Sequence, residues 1–183
     1  MRKLLLLVFI AFSSCKEDIL PKPKAFLNLE YETASYEKLS LERPYSFEVS
    51  TVSKVTDEPN QWIKIKYPKL KASLDITYRN VDDNLRELII ESEKLVFKHT
   101  VKAEQISSND YTNKESNVFG TLYEITGNAA SQLQFHITDS TQHFIKGALY
   151  FSTKPNYDSI LPAVAYIKKD VLHLMETFQW TRD

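Results

Sequence analysis

Apolar and polar residues alternate through the first half of the chain, as in β-strands with one buried face. The alternation runs over residues 45–49, resumes after a turn at residues 62–67, and is strictest over residues 70–78. Because the connections are short and one face stays apolar, the pattern predicts an antiparallel meander. A weaker alternation within residues 26–36 predicts an additional edge strand.

Two later segments change to the three-and-four spacing of an amphipathic helix. Asn80 or Asp82 can cap the first helix, and Asp158 or Ser159 can begin the second, where Pro162 is acceptable in the first turn. The apolar positions of the first are Leu85, Leu88, Ile89, Leu95, Val96 and Ala103. Those of the second are Ile160, Leu161, Val164, Ile167, Val171, Leu172, Leu174, Met175 and Phe178.

Residues 105–117 are polar and predict a long loop after the first helix. Three strands are predicted to follow, at residues 118–125, 133–138 and 142–152. The order is strands, helix, strands, helix. It predicts an α+β fold, in which an antiparallel sheet of about six strands is packed by two amphipathic helices. We expect one sandwich-like domain over residues 26–183.

The N-terminus has the pattern of a secretory signal peptide. Arg2 and Lys3 precede an apolar run over residues 4–12, and two small residues, Ser13 and Ser14, then precede the only cysteine. A cysteine in this position resembles a bacterial lipobox, which predicts cleavage after residue 14 and a diacylglyceryl thioether on Cys15, with a further fatty acid such as palmitate on its amino group. The alternative is an ordinary signal peptide with an accidental cysteine.

Residues 15–25 follow as a predicted tether, in which Pro21 and Pro23 alternate with lysines. One acyl chain holds a protein only marginally at a bilayer, whereas two or three give stable attachment. We therefore expect the mature protein to remain at a membrane through the lipid on Cys15.

Composition argues against several functions. Loss of Arg2 and Lys3 with the signal peptide leaves fewer cations than the 24 acidic residues, so no basic face for nucleic acid is indicated. The three glycines form no phosphate-binding loop, and no Gly-x-Ser-x-Gly motif occurs. We expect no enzyme activity and no cofactor.

One histidine pair suggests a metal site. A tight turn at Asp139–Ser140 would place His136 opposite His143, and Phe135 opposite Phe144, with Asp139 as a third ligand. The alternative is an exposed pair beside an aromatic pair that stabilises the hairpin. Because two ligands do not make a site, we predict no metal.

The strings FSSC, KEDILPKPKAFLNLEY, WIKIKYPKLKASLDITYRNVDDNLRELIIESEKLVFKH and GALYFSTKPNYDSILPAVAYIKKDVLHLMETFQW resemble the gliding-motility lipoprotein GldD family over essentially the whole chain. The resemblance implies an envelope lipoprotein required for gliding. It further implies a link to the type IX secretion machinery, and it supplies no catalytic residue.

Two functional classes compete. The first is a non-catalytic accessory or assembly lipoprotein that contacts other gliding and type IX secretion proteins. The second is a small-ligand-binding or enzymatic envelope lipoprotein. Lys16 stands where an aspartate commonly retains lipoproteins at the inner membrane, so we expect the outer membrane. Lys16, Glu17 and Asp18 also resemble a surface-export signal, although we favour the periplasmic leaflet.

Overall fold

The computed structural model describes residues 31–152 and 156–181, except for the side chains of His99 and Thr100. The predicted signal peptide, Cys15, the tether and most of the weak alternation before residue 36 lie outside these residues. The predictions made for them are therefore not tested by the fold.

The described chain contains eleven strands and two α-helices. The strands are β1 (Tyr36–Lys38), β2 (Tyr45–Ser46), β3 (Glu48–Ser50), β4 (Lys54–Asp57), β5 (Ile63–Tyr67), β6 (Ala72–Asn80), β7 (Ala103–Asn113), β8 (Val118–Gly127), β9 (Leu133–Thr138), β10 (His143–Phe151) and β11 (Gln179–Trp180). The helices are α1 (Leu85–Phe97) and α2 (Tyr157–Thr177), and short 3-10 turns occupy Pro68–Leu70 and Lys98–Val101.

Seven strands form the main antiparallel sheet, in the order β4-β5-β6-β10-β9-β8-β7. The first three form a meander. The chain then crosses through α1 to the far edge, and β7 to β10 return until β10 pairs with β6. The predicted α+β fold with two amphipathic helices is confirmed, and the main sheet has one strand more than expected.

Two strands of the main sheet were not predicted, β4 and β7, and because β7 spans residues 103–113 the predicted loop at residues 105–117 is wrong over most of its length. Residues 103–113 pair with β8, and only the turn at residues 114–117 is irregular. The segment lacks an apolar alternation because it is an edge strand, and most of its side chains are exposed. In that turn the Asn113 side-chain oxygen accepts hydrogen bonds from the amides of Glu115 and Ser116, at 3.1 Å each.

The strand predicted at residues 45–49 also lies elsewhere than expected. It divides into β2 and β3, which pair with β11 and β1 in two small sheets rather than joining the meander. The alternation still identifies the buried side chains correctly. Tyr45, Phe47 and Val49 belong to the same core that one face of the main sheet covers.

The two helices lie on opposite faces of the main sheet. Eight residues of α2 are buried, and most of them join the large core with Leu133, Phe135 and Ile137. On the other face, α1 buries Leu88, Ser92 and Val96.

The first helix is shorter than predicted at both ends. Asn84, not Asn80 or Asp82, occupies its N-cap position, and the α-helix stops at Phe97 before the short 3-10 turn. Asp83 adopts a left-handed conformation with φ of 52°, which delays the start of the helix.

All six residues of β9 are buried, because a helix covers each face. The sheet allows little extra volume here. A Cβ atom on Gly147 of β10 would lie 2.3 Å from the ring of Phe135, so this position requires glycine.

Truncation of Leu174 should show how far the fold depends on α2. Leu174 is 2% exposed, whereas Leu172 on the same helix is 39% exposed. We expect Leu174→Ala to lower the free energy of unfolding by about 2–5 kcal/mol, and Leu172→Ala to lower it far less. Equilibrium urea unfolding measures both. Equal losses would contradict the packing described here.

Candidate functional site

Three separate chain segments meet at the end of the sheet where β9 turns into β10. They line an open groove of about 800 Å³, which we name the hairpin groove. Its lining residues are Glu115, Ser116, Asn117, Asp139, Gln142, His143, Gln179, Trp180 and Thr181. The groove presents amide, hydroxyl and carboxylate groups beside one indole ring, which is a surface suited to polar contacts.

Asp139 shapes the loop that forms one wall of the groove. Its Oδ1 atom accepts hydrogen bonds from the amides of Thr141, Gln142 and His143 at 3.0, 2.9 and 2.8 Å. Partial burial opposes ionisation, but these amides hold the pKa of Asp139 below its usual value. The carboxylate is therefore used to fix the loop.

His143 and Trp180 form the floor of the groove. The two rings stack with centroids 4.9 Å apart, and His143 Nδ1 lies 2.7 Å from the Tyr78 hydroxyl. Because Tyr78 donates its single proton to Asn80 Oδ1 at 2.7 Å, His143 is assigned as the donor to the Tyr78 oxygen.

Trp180 also joins the last strand to the neighbouring turn. Its Nε1 atom donates to the Asn117 carbonyl oxygen at 3.0 Å. The edge of its ring meets Phe178 with centroids 4.7 Å apart. The C-terminal strand is thereby held against both β10 and the β7–β8 turn.

The predicted pairing of His136 with His143 is wrong. Thr138 pairs with Phe144, so His136 lies opposite Lys146 and Phe135 lies opposite Gly147. The connecting loop is longer than a tight two-residue turn because Asp139 holds residues 140–142 outside the ladder. The shifted register places the two histidines on opposite faces of the sheet.

His136 lies beneath α1 and is 6% exposed. Its ring stacks on Phe144, with centroids 5.7 Å apart. Burial lowers the pKa of His136, although Glu93 and Asp110 act in the opposite direction. His136 is thus a neutral core residue. Within residues 31–152 and 156–181, no three His, Cys, Asp or Glu side chains are placed to hold a metal ion.

A second, smaller cavity lies beside α2, near the turn between β5 and β6. We name it the tyrosine pocket. It has a volume of about 250 Å³ and is lined by Tyr31, Glu32, Val52, Tyr67, Lys69, Leu70 and Tyr166. Tyr31 stacks on Tyr166 with centroids 4.8 Å apart, and Lys69 forms an ion pair with Glu32.

Asp170 lies one turn of α2 beyond Tyr166 and is 5% exposed. The Tyr36 hydroxyl donates to its Oδ1 atom at 2.9 Å, and its Oδ2 atom has no hydrogen-bond partner among the described residues. Burial raises the pKa of Asp170, while the hydroxyl groups of Tyr36, Tyr67 and Ser50 partly oppose this effect. Burial, together with the Asp170 hydrogen bond, also raises the pKa of Tyr36 to about 12.

His173 closes the same cluster. Its ring stacks on Tyr36 with centroids 3.7 Å apart, and its Nε2 atom lies 2.7 Å from Glu48 Oε2. These contacts connect α2 to β1 and β3, so His173 has a structural role in the described fold.

The sequence did not reveal the hairpin groove. Its walls come from residues 115–117, 139–143 and 179–181, and their meeting depends on the strand order and the β9–β10 register. The available signals were Asp139 and His143, which the sequence analysis considered for another reason, and Trp180, two residues after the last predicted apolar position, Phe178.

These features define a single α+β domain whose titratable groups around the two cavities are largely engaged in holding the fold. In the described residues no helix is both long and apolar enough to pass through a bilayer. The model of one family, gliding motility lipoprotein GldD, matches residues 16–180. The chain belongs to the gliding motility lipoprotein GldD family.

Membership makes the protein a lipoprotein of gliding motility that is associated with the cell envelope. The matched region begins at the residue that directly follows Cys15. The comparison with curated proteins gives no match.

Replacement of Asp170 should show how much its buried charge lowers the stability of the native state. Because the folded-state pKa lies above the ordinary value of 3.8, ionised Asp170 destabilises the native state at neutral pH. We expect Asp170→Asn to raise the melting temperature at pH 7, by about 2–4 °C for each kcal/mol gained. The gain should shrink as the pH falls through the raised folded pKa, and vanish below 3.8.

The control is Glu176→Gln, which makes the same carboxyl-to-amide change at an exposed position on α2. Calorimetry across this pH range distinguishes the two variants. A loss of stability in Asp170→Asn at pH 7 would show that the carboxylate holds the cluster together more strongly than burial disfavours it.

Proposed function

We propose that the protein is an outer-membrane lipoprotein, anchored through lipid on Cys15, that serves gliding motility by contacts with other envelope proteins. In this proposal it is a non-catalytic accessory or assembly component of the gliding and type IX secretion apparatus. The family match over residues 16–180 carries the proposal. The periplasmic leaflet is the favoured location.

Two features of the N-terminus support the anchor. The basic and apolar residues 1–14 have the order of a signal peptide, and Cys15 follows two small residues. The family match starts at Lys16, so the whole matched region would belong to the mature chain that begins at the lipidated cysteine.

The chemistry of the hairpin groove supports a role in contacts. Asp139 is occupied by three backbone amides, and His143 is held between Tyr78 and Trp180. Glu115 and Gln142 remain exposed on its walls. The side chains of this surface are held in place by contacts beneath it, and its rim is polar and exposed. Such a surface is better suited to binding another protein than to catalysis.

The tyrosine pocket favours a second candidate function, the binding of a small ligand. It is enclosed mainly by aromatic and aliphatic side chains, and the buried Asp170 lies beside it. However, its volume of about 250 Å³ falls below the usual range for ligand pockets of roughly 300–1,000 Å³. We therefore rank this function second.

The anchor is tested by Cys15→Ser. Because the thiol sulfur carries the diacylglyceryl group in our proposal, we expect the variant to incorporate no labelled fatty acid and to be either released or stranded away from the outer membrane. Membrane fractionation and protease treatment of intact cells then identify the membrane and leaflet of the wild type. Unchanged labelling in Cys15→Ser would contradict the anchor, and recovery of the wild type in the inner membrane would contradict the location.

The contact role is tested by Glu115→Lys combined with Gln142→Lys. Both side chains are exposed, so we expect a folded, membrane-associated protein that loses crosslinks to envelope partners and supports little gliding. Glu87→Lys combined with Gln105→Lys is the control, because it introduces the same charge change at exposed positions outside the groove. Crosslinking with mass spectrometry and spreading assays measure the outcome. Normal crosslinking and gliding in the double variant would exclude the groove as the contact site.

A further inference from the structure

Charge is distributed unequally between the two ends of the main sheet. One end carries the turns at residues 51–53, 68–71, 98–102 and 128–132, which contain four lysines and no carboxylate. The other end carries the turns at residues 58–62, 81–84, 114–117 and 139–142, which contain five carboxylates and one lysine. The overall charge of −1 conceals this polarity.

The basic end also carries the most exposed apolar side chains of the described residues. Val101 is 89% exposed and Phe97 is 52% exposed. They lie four residues apart at the end of α1, between Lys94, Lys98 and Lys102, all of which are exposed. We name Phe97, Lys98, Val101 and Lys102, together with Lys71 of the β5–β6 turn, the basic tip.

Packing does not account for the exposure of Val101. The apolar residue of α1 that does face the sheet here is Val96, which is 0% exposed and packs on Tyr123 and Ile125. Lysines near a helix C-terminus do interact favourably with the helix dipole. That effect explains Lys94 and Lys98, and the ion pair with Glu32 explains Lys69, but neither accounts for the outward Val101 or for Lys71.

The described chain also begins at the basic end. Glu32 pairs with Lys69 in the β5–β6 turn, and Tyr31 stacks on Tyr166 beside it. The fifteen residues from 16 to 30 span at most about 50 Å when fully extended. A lipid on Cys15 thus keeps the domain near a bilayer, and the surface of the domain decides which end meets it.

We propose that the basic tip is a second membrane contact, which rests on anionic phospholipid headgroups with Phe97 and Val101 in the interfacial region. Lysines beside exposed apolar side chains are the combination that binds such a surface. The acidic end would be repelled, so the hairpin groove points away from the bilayer toward its partners. The orientation rests on the proposed anchor at Cys15, whereas the affinity of the tip for anionic lipid does not.

The two native tryptophans make this orientation measurable. Trp62 and Trp180 both lie at the acidic end of the sheet, in the β4–β5 turn and in the hairpin groove. The acylated wild-type chain is reconstituted into vesicles of phosphatidylcholine and phosphatidylglycerol with brominated acyl chains. Because bromine quenches only nearby indoles, we expect little quenching. Val101→Trp, at an exposed position that tolerates a larger side chain, should be quenched several-fold more.

Charge reversal tests the electrostatic part. Lys98→Glu with Lys102→Glu, introduced beside Val101→Trp, should reduce the quenching of the tryptophan introduced at position 101. Lys102→Glu alone should reduce it in part, and Lys114→Glu, the matched single reversal at the acidic end, should leave it unchanged. Added salt should also reduce the quenching of the tryptophan introduced at position 101, because it screens the attraction between the tip lysines and the anionic headgroups.

The mass of the purified chain reports acylation of Cys15 separately. An acylated Val101→Trp chain that is quenched no more than wild type would overturn the membrane contact and leave the anchor intact. Quenching that ignores the Lys98→Glu and Lys102→Glu changes would also overturn it. An unacylated chain that still shows quenching of the introduced tryptophan would support the contact while removing the anchor.

Discussion

The fold depends on the burial of β9 from both sides. Leu133, Phe135 and Ile137 point into the large core under α2, and the alternate residues Gln134, His136 and Thr138 point toward α1. Of these polar side chains, Thr138 donates to the His143 carbonyl oxygen at 2.7 Å, whereas Gln134 Nε2 and His136 Nδ1 have no hydrogen-bond partner among the described residues. The neutral state of His136 and the glycine opposite Phe135 both follow from this constraint.

The same constraint explains what could be predicted from the sequence. Period-two patterns located β5, β6 and the strands from β8 to β10, and helical periodicity located both helices, because burial of one face selects these residues directly. The edge strand β7 was not predicted, because few of its side chains are buried and its sequence therefore lacks a period-two pattern. The division of residues 45–49 between two small sheets was not predicted either. Alternation indicates which side chains are buried, but it does not indicate which strand pairs with which.

The candidate site was harder to predict for a related reason. The position of His143 depends on a register that Asp139 sets by drawing three amides into the loop, and a residue count across the turn cannot foresee this. Trp180 gains its role only when the last strand returns to β2. The proposed lipidation site, Cys15, in contrast, is indicated by a linear motif, so proposing it needs no tertiary structure.

The pairing of β6 with β10 bears on how the protein reaches its location. Ala72 pairs with Phe151, so the centre of the sheet closes a loop of about eighty residues, and α2 and β11 are made later still. Such non-local pairing slows folding, because the entropy of the loop is lost before the contacts form. Any partly emerged chain therefore lacks a complete core. If Cys15 is lipidated as proposed, this delay leaves time for the cysteine to be processed before the domain closes.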